Sequence, residues 1–282
     1  KGEIYYFLMR VRHRQGNYDG IDGMSTFAMK AIESITQSDT QGMHTPNVRW
    51  MLSRILLVSG IAAWRHLASD QAAARLELAR WLLGNIDDRR TRARINHSLG
   101  ALACARDPLD YGGNAKRLLD DAYEDYRRLE HPLDLSRIHC TRGRYWFGRK
   151  EFDEASKELD NAKKYAIDYK SPMMQAEVLV WDGWLVCSKT ESSRSHIDTV
   201  IELGHQALRY LEKTQAYDIA ADANLLIGHC YLQNEGSAQA EAHFRKALTI
   251  AQKHRLQKHA VNALLSLSET YRDRSDAREA KI

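Results

Sequence analysis

The sequence predicts an all-α solenoid of about seven helix–turn–helix repeats, and three observations carry that prediction. A ladder of small and bulky residues recurs along the 282 residues, with most copies about forty residues apart. Apolar residues within the copies fall at helical spacing, as Ala242, Leu248 and Ala251 do, and no period-2 alternation of the strand type runs through the chain. The four prolines respect the boundaries that the ladder defines.

Composition sets the frame for this reading. Hydrophobic residues make up 44% and charged residues 28%, as in ordinary globular chains. Sixteen glycines and four prolines exclude collagen, low-complexity disorder and a Gly/Pro-rich all-β chain. The longest apolar stretch, residues 55–64 between Arg54 and Arg65, falls short of the roughly 18 residues that span a bilayer. The stretch suits a buried helix, and the chain's mean hydropathy of −0.54 is that of a soluble protein. Cys104, Cys140, Cys187 and Cys230 lie far apart with no CxxC pair, which predicts reduced, packed thiols in a cytoplasmic protein. The chain starts at Lys1 with no signal peptide in view, so a piece of a longer protein is expected.

The repeats are justified in order. In the first, residues 2–46, Leu8, Met9 and Arg12 are followed by Tyr18, Ile21, Ser25 and Ala28. The second, 47–88, carries Gly60, Ala63, Ala72, Leu76 and Ala79; the third, 89–131, carries Gly100, Ala103, Ala115, Leu119 and Ala122 with a three-residue loop insertion. The fourth, 132–171, matches the second without a gap through Gly143, Trp146, Ala155, Leu159 and Ala162. A weaker fifth copy, 172–215, has Gly183, Val186, Val200, Gly204 and Ala207, its loop lengthened through residues 190–195. The sixth, 216–257, has Gly228, Tyr231, Ala240, Phe244 and Ala247, and the seventh, 258–282, opens with Ser268, Tyr271 and Ala280. Small residues recur where two antiparallel helices approach closely, and bulky ones fill the space beside them. Pro46, Pro132 and Pro172 fall where new first helices begin, with Ser171 as an N-cap, and Pro108 falls in the enlarged loop of the third repeat.

This ladder resembles the tetratricopeptide repeat (TPR) family, most closely in Leu226-Ile227-Gly228, Tyr231, Ala240, Phe244 and Ala247, then in Phe152-Asp153-Glu154-Ala155. The resemblance covers essentially the whole chain. The family's early Trp is missing from every repeat, and the period is near forty, similar to the long-period arrays of bacterial signalling and transcription regulators. The resemblance implies a single repeat domain over 1–282, wound as a right-handed superhelix whose first helices line a concave face.

Signals of catalysis are few. GxxxxGK[ST], HExxH and GxSxG do not occur. Gly112-Gly113-Asn114-Ala115-Lys116 follows no strand and reads as an interhelical loop; Asp87-Asp88 and Asp120-Asp121 read as solvated helix surface. His139 and Cys140 point apart on one helix, and His254 and His259 straddle a helix boundary, so neither pair reads as a metal site. The expectation is a non-enzymatic module with no cofactor and no metal.

Under the resemblance, positions six and three before the small residue, one after it and four or five after it face the groove. They include Arg10, Arg14, Arg54, Trp64, Arg65, Arg94, His97, Arg137, Arg144, Phe147 and Trp184, which are the candidate partner-binding residues. The first four repeats place seven arginines inward against Glu3; the last three place Glu177, Asp222, Glu269 and Asp273 against Arg272. Composition hides this polarity: residues 1–145 hold 22 Lys+Arg against 17 Asp+Glu, and the remainder 19 against 20. Arginine offers bidentate hydrogen bonds to carboxylate or phosphate, and the aromatics offer anchors. An acidic or extended protein or peptide partner fits; the alternative for the arginines is pairing with acids on neighbouring helices. The family's chaperone-tail clamp needs Lys and Asn on successive first helices, whereas Arg10, Leu57, Ile61, Ser98 and Arg137 stand there, so that ligand is not expected.

The competing class is an RNA- or DNA-binding repeat module, using the clusters at residues 10–14 and 89–94. A sequence pI of about 8.8 and acids at Asp87 and Asp88 argue against it. No membrane partner is expected, and a groove basic at one end and acidic at the other permits self-association.

Overall fold

A computed structural model of the chain describes residues 27, 30–34, 45–65, 68–189, 194–234 and 236–279. Among the described residues there is no strand, and the helices run α1 (Pro46–Arg65), α2 (Ser69–Leu83), α3 (Arg89–Arg106), α4 (Asn114–Leu129), α5 (Pro132–Gly148), α6 (Phe152–Asp168), α7 (Pro172–Lys189), α8 (Arg194–Leu211), α9 (Tyr217–Gln233), α10 (Ser237–Lys253) and α11 (Gln257–Glu279). The architecture is the expected all-α, TPR-like solenoid of antiparallel helix pairs. The second to sixth repeats are the pairs α1/α2 to α9/α10, and α11 opens the seventh. The first repeat lies almost wholly outside the described residues, as does Ala280 of the last.

Helix boundaries follow the local chemistry. Pro46, Pro132 and Pro172 open α1, α5 and α7, and the Met174 N–H donates to Ser171 Oγ at 3.3 Å, as an N-cap requires. Glu130, Lys170 and Arg255 end second helices in the left-handed conformation, at φ of 50°, 52° and 54°.

The chain forms two compact units, residues 1–131 and 132–282. In the N-terminal unit, α1 packs on α2, α3 on α4, and α1 also touches α3. Its core gathers Phe27, Leu52, Ile55, Leu76, Leu83, Ile95 and Leu99. In the C-terminal unit the first helices pack on one another in series, α5 on α7, α7 on α9 and α9 on α11. Each second helix there lies between the first helix of its own repeat and that of the next.

The small-to-bulky ladder is the contact between paired helices. A Cβ added at Gly60 would stand 2.9 Å from Leu76 Cγ, at Gly100 2.8 Å from Leu119 Cγ, and at Gly143 2.9 Å from Leu159 Cγ. At Gly228 it would run into the Phe244 ring. Real side chains do not approach so closely, so the pairs pack at this distance only because the position carries no Cβ. The fifth repeat inverts the arrangement. Gly204 stands where the others have Leu or Phe, and Leu226 and Ile227 of α9 fill the space beside Gly183 and Gly204.

Buried polar links reinforce the same pairs. Ser53 Oγ donates to the Ala79 carbonyl at 2.8 Å, and Ser136 Oγ, at the same place in the fourth repeat, to the Ala162 carbonyl at 2.9 Å. His139 Nδ1 meets Glu158 Oε2 at 2.6 Å, and Arg142 Nε donates to Glu158 Oε1 at 2.8 Å. Arg92 Nε and Nη2 donate to Asp125 at 2.8 and 2.9 Å. Asp88 departs from the solvated-surface expectation. Its carboxylate caps α3 by accepting from the Thr91 N–H at 2.9 Å and takes the Trp50 indole N–H at 2.7 Å. Burial opposes its charge, but those hydrogen bonds win and hold its carboxyl below the ordinary value.

Asp182 of α7 has no such compensation. Burial, with Asp160 adding and Lys163 opposing, pushes its carboxyl up to about 6 from the ordinary 3.8. An acid raised in the fold costs stability when ionised, and the cost disappears as pH falls from 6 to 3.8. Asp182→Asn is therefore expected to raise stability at pH 7.5 by about 1–2 kcal/mol, allowing for screening of a half-buried group. Urea unfolding of both proteins at pH 7.5 and at pH 4 checks this, and the gain should vanish at the lower pH.

Candidate functional site

First-helix positions divide into two classes. Of those three before the small residue, Leu57, Cys140, Val180 and Leu225 are buried in the seams between neighbouring helices and do not face a groove as the family pattern implied, whereas His97 is part-exposed and Leu265 exposed. Those six before and one after it remain part-exposed in the fourth to sixth repeats and make up the candidate surface.

In the N-terminal unit, Arg54 lies over the Trp50 ring at 4.5 Å and contributes to holding Asp88 ionised. Trp64 is half-buried against the unit's core, and His97 meets Tyr126 of α4 edge-on at 6.0 Å. Arg94 is half-buried on α3. Arg10 and Arg14, and the side chain of Arg65, lie outside the described residues.

The C-terminal unit brings together more of the candidates. Arg144 of α5 lies over the Trp181 ring of α7 at 4.8 Å, and its Nη1 is 3.9 Å from Glu177 Oε1. Phe147, one turn on, meets the same Trp181 ring at 5.8 Å and Phe152 at 5.9 Å. Arg137 sits 3.9 Å from Asp134 with 42% of its side chain exposed. On α7, Trp184 packs on His229 of α9 at 5.4 Å, and Ser266 of α11 lies 3.1 Å from His229 Nε2. Asp222 of α9 is 3.4 Å from His259 Nε2 of α11.

Two charged side chains of this surface, Glu177 and Lys258, are part-buried. Burial raises the Glu177 carboxyl above its ordinary value, against Arg144 and with Asp218 adding, although 26% of its side chain stays exposed. Burial likewise lowers the Lys258 ammonium at the start of α11, and Arg144 lowers it further while Asp222 opposes. Lys258 and Arg144 therefore share one electrostatic neighbourhood contributed by α5 and α11, with Glu177 and Asp222 beside them. Neither Lys258 nor Trp181 was among the sequence candidates. Lys258 sits before the ladder starts in its repeat, and Trp181 two positions before Gly183, so an offset rule passes over both.

Two sequence features resolve as structural. The backbone N–H groups of Ala115 and Lys116, which a phosphate at Gly112-Gly113 would need, donate to Asp110 at 3.0 Å each. His254 stacks on Tyr217 with ring centroids 3.4 Å apart. Among the described residues, no group of three or more His, Cys, Asp or Glu side chains is placed to hold a metal ion. Among the same residues, no helix is long and apolar enough to cross a membrane.

No protein-family model matches the sequence, and no curated protein matches it. Solved structures do match in fold. One is a signal transduction ATPase with numerous domains and a tetratricopeptide repeat sensor from Pyrococcus horikoshii, at TM-score 0.60 and 15% identity, over 96% of this chain and 38% of that one. Another is aspartyl phosphate phosphatase F from Bacillus subtilis, at TM-score 0.58 and 17% identity, over 90% of this chain and 65% of that one. The chain thus spans less than two thirds of either neighbour. At these identities the likeness establishes the fold alone.

Proposed function

We propose that the chain is a protein- or peptide-binding scaffold or sensor module of a larger cytosolic regulator, and that the first-helix face of its C-terminal unit receives an extended segment bearing acidic side chains. The observation that carries this reading is Arg144. Its guanidinium is held by the Trp181 ring and by a loose 3.9 Å approach to Glu177, and it makes no hydrogen bond to any described residue. Five N–H donors on a fixed, one-third exposed guanidinium suit an incoming carboxylate. Arg137 supplies a second exposed cation on the same helix, and Phe147, Trp181 and Trp184 supply anchors. The neighbour that contains a tetratricopeptide repeat sensor supports the sensor part of the reading.

Nucleic acid is the second reading, and the Arg89–Arg94 cluster weakens it. Arg92 donates two hydrogen bonds to Asp125, and Arg89 Nε lies 3.7 Å from the same carboxylate, so both are engaged within their own unit. The test is an anisotropy titration with labelled extended peptides of acidic, neutral and basic composition, alongside a single-stranded RNA. The acidic peptide is expected to bind best, and Arg137→Gln with Arg144→Gln, which sets no new carboxylate beside Glu177, to weaken it at least tenfold in a protein that still unfolds cooperatively. Equal binding of the basic peptide, or RNA binding more tightly than every peptide, would sink the proposal.

A further inference from the structure

Cys187 and Cys230 are 43 residues apart in sequence, yet their Sγ atoms stand 3.3 Å apart. The first lies in the last turn of α7 and the second in the last turn of α9, first helices of consecutive repeats that pack directly on each other. Both are free thiols. Cys230 is fully buried in the core formed with Ala176, Val180, Ala223 and Leu226, whereas Cys187 is only half-buried. One sulfur is thus open to a reagent, and the other is held in contact behind it.

We propose that Cys187 and Cys230 form a redox-modifiable dithiol site, converted by a low-molecular-weight disulfide such as oxidised glutathione into a bond that ties α7 to α9. Cys187, as the thiolate, attacks one sulfur of the reagent. The reagent's S–S bond breaks, a mixed disulfide forms on Cys187, and one glutathione thiolate leaves. Cys230 then gives up its proton to solvent and attacks Cys187 Sγ. The bond between Cys187 and glutathione breaks, and the second glutathione departs. Two electrons and two thiol protons leave the protein, and two reduced glutathiones result.

The local electrostatics suit this order. The contact with Cys230 lowers the Cys187 thiol against the effect of burial, since a neighbouring S–H stabilises the thiolate. The same contact, with burial, holds Cys230 well above its ordinary value. Once Cys187 is in the mixed disulfide it carries no charge, and that part of the restraint on Cys230 is gone. The bond would also act on the candidate surface. Trp184 stands three residues before Cys187 and packs on His229, the residue preceding Cys230. Oxidation would therefore fix the register of the two helices where the aromatic anchors sit.

The chain separates the two cysteines into different tryptic peptides, residues 171–189 and 214–245. The experiment equilibrates the full chain in glutathione buffers of rising oxidised fraction, quenches in acid, alkylates in denaturant, and reads non-reduced digests by mass spectrometry. The expected result is a 171–189 to 214–245 linked peptide that grows with the oxidised fraction and disappears in excess reduced glutathione, while Cys104 and Cys140 stay alkylatable. In Cys187→Ser, the linked peptide should be absent and Cys230 should stay reduced at every buffer ratio. Two results would overturn the proposal: Cys187 accumulating only as the glutathione mixed disulfide beside reduced Cys230, or Cys230 oxidising as readily in Cys187→Ser as in the parent.

Discussion

Phe244→Ala is expected to cost about 3–5 kcal/mol in stability, the largest loss from any single truncation in the sixth repeat. The ring is fully buried among Leu225, Ala240, Ala247, Ala263 and Leu267, so it joins α9, α10 and α11 at one point. Its removal leaves a cavity that backbone already held by ladder contacts cannot readily close. Gly228→Ala alone is expected to destabilise by about 1–3 kcal/mol, because the new methyl meets the Phe244 ring, and the better helix propensity of alanine offsets only part of that. Combined with Phe244→Ala, the same methyl enters vacated space, and Gly228→Ala should become neutral or stabilising. The coupling, read from urea unfolding of the four proteins of the cycle, is the test. Additive losses would mean that the glycine is not there for the ring. Phe244 also meets His229 at 5.1 Å, so amide exchange in α9 and α11 should quicken in Phe244→Ala.

The same cycle shows why the fold was legible in the sequence. A glycine and a bulky residue at a fixed offset are two halves of one contact, and repetition made the offset visible: Gly60 with Leu76, Gly143 with Leu159, Gly228 with Phe244. The prolines confirmed the phase because a missing N–H is tolerated at the first helical position. Legibility failed where a partner came from the next repeat or from an unlike residue type. Gly204 looked like a weak match, since its filler, Ile227, belongs to the following helix pair. His139 with Glu158 and Asn224 with His243 occupy the same two positions of their repeats, yet no residue identity links the pairs. Cys187 and Cys230 appeared remote because 43 residues is one repeat, and a repeat folds back to its start. For the candidate surface, the offsets placed Arg137, Arg144, Phe147 and Trp184 on the first-helix side of their unit. They could not anticipate that Trp181 holds Arg144, or that Lys258 joins it from α11.

Acidification from pH 6.5 to pH 4 is expected to remove about 3 kcal/mol of stability through His243 alone. His243 is buried on α10, and its Nδ1 lies 3.0 Å from Asn224 Oδ1, while the Asn224 amide donates to the Ala220 carbonyl at 2.8 Å. With the amide nitrogen so used, Oδ1 must accept, and the imidazole carries its proton on Nδ1. Protonating Nε2 would place a charge inside the helix pair. Burial opposes that charge, as do Lys246 on the same helix and His205 on α8, and together they lower His243 to about 4 from the ordinary 6.5. A base lowered in the fold binds fewer protons than the unfolded chain between those two values. Stability is then complete above pH 6.5 and is lost as pH falls towards 4. His243→Gln lacks the titration and should show a shallower acid limb, so the difference between the two proteins isolates this group from the carboxylates that titrate alongside it. Parallel acid limbs in urea midpoints measured between pH 7.5 and pH 4 would show that His243 is not the group responsible.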